Sequence, residues 1–254
     1  MQIFRKTLIK LLIVLPALLC LQSCTVFKAG PSKKNLFLTH PEKQVELRER
    51  APFNGVAYLN PEKVDQMHQS VKKIAILPIR VDLLQKEFER EIEDKDLRAQ
   101  RIEEAEEIAR YFTDRIKTAI QNYPNYPYKL IDAPEPDSFV VEIALVELIP
   151  TKASVNLLAN VAGILVPGGG LIGRAGTGSV AFEAQLRDGS TNEILVEFRD
   201  READKTTLFS LKDFQEYAFI RQAIEEWADQ YAELSATSRT HRVSDSSPFS
   251  LNPI

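Results

Sequence analysis

Gly168, Gly170 and Gly173 have the spacing G-x-G-x-x-G, which cradles a dinucleotide pyrophosphate when it joins a strand to a helix N-terminus. Here Pro167 precedes the glycines and Arg174-Ala-Gly-Thr-Gly178 follows them, a poor helix start. No acidic residue closes a second strand at the spacing that would hold a ribose. No Gly-Lys-Ser/Thr follows, so the stretch is no phosphate loop either. The three histidines, His40, His68 and His241, fall in the lead-in and the tail and match no zinc spacing. A G-x-S-x-G nucleophile elbow is missing. The run Glu103, Glu104, Glu106, Glu107 reads as a solvated helix face. No nucleophile–base pair or metal set emerges, so the expectation is a protein that is not an enzyme and takes no cofactor.

One charged constellation remains. Ser179–Arg187 and Glu193–Arg201 alternate apolar and polar residues around the turn Asp188-Gly-Ser-Thr-Asn192, as a hairpin does. Val180, Phe182, Ala184 and Leu186, with Ile194, Val196 and Phe198, then face the core. Glu183, Arg187, Glu197, Arg199 and Arg201 share the opposite, exposed face. Cross-strand pairing, with Glu183 opposite Arg199, explains this set structurally. The functional alternative is a sheet-face binding surface made by Glu183, Arg187, Arg199 and Arg201.

The elements that would position that face follow from periodicity. Val71–Val81 is rich in β-branched residues and almost continuously apolar from Ile74, as in a strand buried on both faces. Pro78 belongs at its end or on a sheet edge. Leu84, Phe88 and Ile92, then Ile102, Ala105, Ala109, Phe112, Ile116 and Ile120, form an apolar helical stripe. The acidic patch 91–96 divides it, and Asn122-Tyr-Pro-Asn-Tyr-Pro127 ends it. Strands follow at Tyr128–Asp132 and Phe139–Ile149, and a last helix over Leu211–Leu234 places Trp227 and Tyr231 inward. The expected fold is α/β (α+β): one mixed sheet in the order β-α-β-β-β-β-α, with a parallel crossover first and the helices on one face. Residues 71–234 make this core, 36–70 an extended lead-in, and 235–254 a disordered tail.

The N-terminus carries a different chemistry. A basic start with Arg5, Lys6 and Lys10 precedes the apolar run Leu11–Leu19, the layout of a secretory signal peptide over residues 1–23. Leu21-Gln22-Ser23-Cys24 resembles the lipobox of bacterial lipoproteins. That resemblance implies cleavage between Ser23 and Cys24, lipid on the Cys24 thiol and on the new amine, and a tether over residues 24–35. Thr25 in place of Asp implies sorting to the outer membrane. Residues 1–23 carry three cations and no acidic residue, so cleavage moves the formal charge from −4 to −7. A charge of that sign argues against nucleic acid as a partner. With Cys20 lost and Cys24 acylated, neither of the two cysteines is left to form a disulfide, and the fold must rest on burial.

Residues 153–173 contain no charged side chain and far exceed an ordinary strand connection of about 4–6 residues. Two readings stand for this apolar, glycine-rich loop over 153–178: Val155–Ala162 forms a short helix whose apolar side packs on the domain, or Leu157, Leu158, Ile164, Leu165, Leu171 and Ile172 are membrane or partner contacts. With these features placed, the chain is similar to a family of Gram-negative lipoproteins known as a domain of unknown function. The similarity rests on the lipobox, Tyr58-Leu-Asn-Pro61, Val71-Lys-Lys-Ile-Ala-Ile-Leu-Pro78, Val180-Ala-Phe-Glu-Ala-Gln-Leu-Arg-Asp188, Arg199-Asp-Arg201 and Trp227-Ala. It implies an envelope lipoprotein on the outer membrane, facing the periplasm, and no established reaction. The expected role is non-enzymatic binding or scaffolding of an envelope partner. The alternative is a homo-oligomeric assembly or secretion component in which 153–173 touches the membrane or a neighbouring subunit.

Overall fold

The computed structural model describes residues 30, 36–46, 52–150, 178–203, 217–238 and 241–245. Strands β1 (Gly55–Tyr58), β2 (Lys73–Ile76), β3 (Lys129–Ile131), β4 (Ser138–Ile149), β5 (Ser179–Asp188) and β6 (Ile194–Ala203) form one open sheet in the order β1-β6-β5-β4-β2-β3. β2 is parallel to both β3 and β4, whereas β4, β5, β6 and β1 pair antiparallel in turn. The mixed sheet and the early parallel crossover are those expected from the β-α-β order. Pro78 lies beyond the end of β2, so its missing N–H removes no bond from this interior strand.

Among the described residues, four α-helices join the sheet: α1 (Pro61–Ser70), α2 (Asp82–Glu91), α3 (Lys95–Asn122) and α4 (Ala218–Ala236). Asn60 caps α1, accepting from Lys63 N at 3.1 Å, and Pro61 takes the first position, where its missing donor costs nothing. Asp94 caps α3 through Asp96 N and Leu97 N. It lies in the acidic patch that separates α2 from α3. The apolar faces of all four helices meet one side of the sheet in a single core. At its centre Phe182 packs edge-on to Trp227 at 4.7 Å, to Phe112 at 5.9 Å and to Phe53 at 5.8 Å. The indole N–H of Trp227 donates to buried Asp200 at 2.8 Å. The other Asp200 oxygen accepts from Asn54 N at 2.9 Å, so this acid enters the core with its acceptors used.

Two irregularities set which residues face inward. β4 bulges between Leu145 and Glu147. The extra residue keeps Leu148 in the core and sends Glu147 to the opposite face. A second shift between Leu186 and Arg187 puts Leu195 in the core where plain alternation selects Ile194.

Residues 36–70, expected to be extended, contain β1 and α1. The short run Gly55–Tyr58 shows its strand character only when β6 lies beside it, and the helix is polar apart from buried Val64 and Met67. The expected tail also departs from expectation. α4 continues to Ala236, and residues 241–245 pack back along it, with Val243 buried, Gln230 donating to Ser244 O and His241 beside Glu233.

Replacing Phe182 by Ala removes the ring that joins Phe53, Phe112, Phe198 and Trp227. The expected loss is about 3–5 kcal/mol of unfolding free energy in urea melts. Leu36→Ser, at an exposed site, is expected to stay within about 0.5 kcal/mol.

Candidate functional site

The helix-free face of the sheet carries the charged constellation read from the sequence, and the structure buries much of it. Glu183 and Glu197 are both 0 % exposed, so the face expected to be open is covered. The cover is the chain's own segment 36–40. Backbone N–H groups of Leu36, Phe37 and Leu38 converge on Glu183 Oε2 at 3.0, 2.6 and 3.3 Å. Thr39 donates to Glu197 Oε1 from its amide at 2.7 Å and its hydroxyl at 2.6 Å, and His40 N donates to Glu197 Oε2 at 2.9 Å. Successive amides turned toward one anion form a nest. Here the anions are side chains of the sheet, and the nests belong to a strap laid across it. Gln185 reinforces the arrangement, donating to Phe37 O at 3.1 Å and Glu197 Oε1 at 3.0 Å.

The two carboxyls respond differently to burial. Desolvation dominates at Glu183 and raises its pKa, against the three strap amides and the charge of Arg199. At Glu197 burial also pushes upward. Donors on both oxygens, from Thr39, His40 and Gln185, outweigh it and hold the carboxyl below its ordinary range. Glu183 Oε2 and both Glu197 oxygens thus grip the strap, whereas Glu183 Oε1 is buried with no hydrogen-bond partner among the described residues, in keeping with the raised pKa of that carboxyl.

The strand register places Glu183 opposite Arg199, the pairing expected from the sequence. Arg187 reaches Glu142 at 3.3 Å and also donates to Gln185, and Arg201 meets Glu147 at 2.8 Å. Arg80, just past β2, contacts Glu142 at 2.9 Å and lies over the Phe37 ring at 5.2 Å. The structure thus brings Glu183, Arg187, Arg199 and Arg201 together on one face, in a network with the strap. Sequence reasoning missed the strap itself. Its only signal was a pair of glutamates, Glu183 and Glu197, at strand positions of the hairpin.

At the far end of β5, Asp188 shapes the hairpin turn through Ser190 and Thr191 and meets Lys63 at 2.6 Å. Burial opposes its charge, but Lys63 and the turn donors hold its carboxyl well below the usual carboxylate range. Ser23 and Cys24, and Leu157, Leu158, Ile164, Leu165, Leu171 and Ile172, lie outside the described residues. Among the described residues, no cluster of three or more His, Cys, Asp or Glu side chains is placed to hold a metal. No helix among them is long and apolar enough to cross a membrane.

An open mixed sheet layered on one side by helices and strapped on the other defines an α+β domain. The chain belongs to the family described as protein of unknown function (DUF3313), whose model matches residues 48–231. No curated protein matches it. Two solved structures similar to it are PelC dodecamers from Paraburkholderia phytofirmans. One, in space group P6, has 11 % identity and a TM-score of 0.35, covering 66 % of this chain and 91 % of that one. The other, a leucine-to-methionine variant, has 12 % identity and a TM-score of 0.34, covering 66 % and 90 %.

Glu197→Gln replaces an acceptor with an amide nitrogen facing donors. It is expected to lower stability by about 1–3 kcal/mol and to expose residues 36–46 to limited proteolysis. The pH dependence separates the two acids. The contribution of Glu197, whose folded pKa lies below the ordinary 4.5, is complete above 4.5 and is lost as pH falls through the folded value. Glu183, with its folded pKa raised above 4.5, acts with the opposite sign: ionisation costs stability above the folded value, and the cost is relieved as pH falls toward 4.5. Denaturant melts of the parent and of each single Gln variant, from about pH 3 to 7, should resolve both slopes.

Proposed function

We propose that this protein is an envelope lipoprotein anchored by lipid on Cys24, which binds or scaffolds a partner at the membrane surface without performing a reaction of its own. The observation that carries the proposal is the strap. Followed toward the N-terminus, it passes from Glu197 on β6 to Glu183 on β5, and from the level of Gln185 to a level two residues nearer Ser179. The chain therefore heads from the sheet toward the end where Ile149 pairs with Ser179 and Ser179 with Ala203. Residues 24–35 fully extended reach at most about 40 Å. A lipid on Cys24 would thus keep the domain within about that distance of the bilayer, tethered from this end of the sheet. Such tethering suits presentation of a surface to a partner.

The pairing of Ile149 with Ser179 also favours a second reading. The chain between them leaves and re-enters the sheet at one point, and Ile149 is 40 % exposed there. The uncharged residues 153–173 are thus attached at the end of the sheet from which the domain is tethered. Contact with lipid or with a second copy through Leu157, Leu158, Ile164, Leu165, Leu171 and Ile172 would make the domain part of an assembly.

Labelling cells with a radioactive palmitate precursor tests the anchor. The parent should carry label and sediment with membranes, whereas Cys24→Ser should lose the label; an unlabelled parent would sink the proposal. In-cell crosslinking of the lipidated protein separates the two readings, since a foreign partner supports scaffolding. Capture of itself alone, abolished by Ser at positions 157, 158, 164 and 165, supports assembly.

A further inference from the structure

Residues 36–40 lie on the sheet without entering its core. None of their side chains belongs to the core cluster, and Leu36 is exposed. They are held by hydrogen bonds to Glu183, Glu197 and Gln185, with the Phe37 ring under Arg80. Further along, Val45 is bridged to Val56 of β1. The segment 36–44 can therefore lift from the sheet while the core stays packed.

The two oxygens of Glu183, at the middle of this attachment, are placed differently. Oε2 accepts three strap amides, which leaves no room there for a proton. Oε1 is buried and has no hydrogen-bond partner among the described residues. A carboxylate spreads its charge over both oxygens, so ionised Glu183 leaves part of that charge inside the closed face with no donor. A proton on Oε1 removes the charge, and the carbonyl oxygen Oε2 still accepts from the strap.

The charged groups around Glu183 do not reverse this. Arg199 stands opposite it on β6, with Glu197 and Arg201 on either side, and Glu142 lies one pair along on β4. Glu142 is engaged by Arg80 and Arg187, and Arg201 by Glu147. His40, at the end of the strap, lies 3.9 Å from Glu197. Arg199 favours the ionised carboxyl, but burial outweighs it and holds the closed carboxyl above its ordinary 4.5. Arg199 stays opposite Glu183 whether the strap is down or lifted. Lifting the strap returns the carboxyl to water beside that cation, where its affinity for a proton falls.

We infer that the strap is a proton-dependent cover, closing over the sheet face with uptake of one proton on Glu183 Oε1 and opening with release of that proton to water. Linkage sets the direction. As pH falls through the closed-state value of Glu183 toward 4.5 the strap tightens, and above that value it is loosest. Glu197 acts in the opposite sense, but only as pH falls below 4.5. The coupling belongs to the folded domain and does not depend on lipid at Cys24.

The test is amide hydrogen exchange of the purified full chain, read by NMR and corrected for the intrinsic pH dependence of exchange, from about pH 4.5 to 7.5. Protection of Leu36, Phe37 and Leu38 is expected to fall as pH rises through the Glu183 midpoint. One proton limits the fall to about tenfold per pH unit. Amides at the centre of β4 should show no such change. Glu183→Gln keeps an oxygen acceptor without the charge. It should hold the strap closed across the range, with protection at the alkaline end severalfold above the parent. His40→Gln should keep the parent's pH dependence. A carbon-13 titration of the side-chain carboxyl in the parent should give Glu183 a midpoint above 4.5, and this measurement needs no variant to fold. A midpoint at or below 4.5 would overturn the assignment. So would strap protection that is constant with pH, a fall that survives in Glu183→Gln, or one that vanishes in His40→Gln.

Discussion

Two carboxylates buried on the helix-free side of a sheet would ordinarily be untenable, because each loses its hydration and needs donors or a counter-charge in return. Glu183 and Glu197 are sustained there by six hydrogen bonds from residues 36–40. The dependence is mutual. A segment crossing a sheet face has no ladder to join, so its amides would lack partners without the two acids. The rest of the polar face is arranged around this exchange, with Arg187, Arg199 and Arg201 supplying positive charge between the acids of β4, β5 and β6.

The opposite side follows a different logic. Four helices contribute apolar faces to a core whose centre is a cluster of aromatic rings around Phe182, and burial supplies the stability. Asp200, a buried acid at that centre, is satisfied by the Trp227 indole and the Asn54 amide. Asn54 directly precedes β1, so this one acid ties the last helix, the first strand and β6 together. The sheet therefore separates a side held by ion and amide contacts from a side held by packing.

Much of the fold was legible because its signals are local. The alternation of Val180, Phe182, Ala184 and Leu186 identifies both strand and inward face, and the turn residues after Asp188 mark the hairpin, whereas the register that sets Glu183 opposite Arg199 depends on the shift between Leu186 and Arg187. The stripe from Ala105 to Ile120 identifies α3, and the acidic break before it contains Asp94, which caps the helix. What stayed hidden depends on contacts distant in sequence. Gly55–Tyr58 is too short to declare itself and becomes a strand through β6. The bulge that sends Glu147 outward is a matter of pairing with β5, and no periodicity within β4 reveals it.

The sequence by itself determined a mixed sheet, the helices that cover one side of it, and the alternation of β5 between its two faces. These rest on periods of two and 3.6 residues, and a period is a property of neighbouring side chains. Only the tertiary structure decided that the charged face is closed, since the donors to Glu183 and Glu197 are backbone amides about 145–160 residues away in the chain. Every residue type carries such an amide. No choice of side chain marks the segment that will supply them, and the strap became visible only once the chain had folded across the sheet.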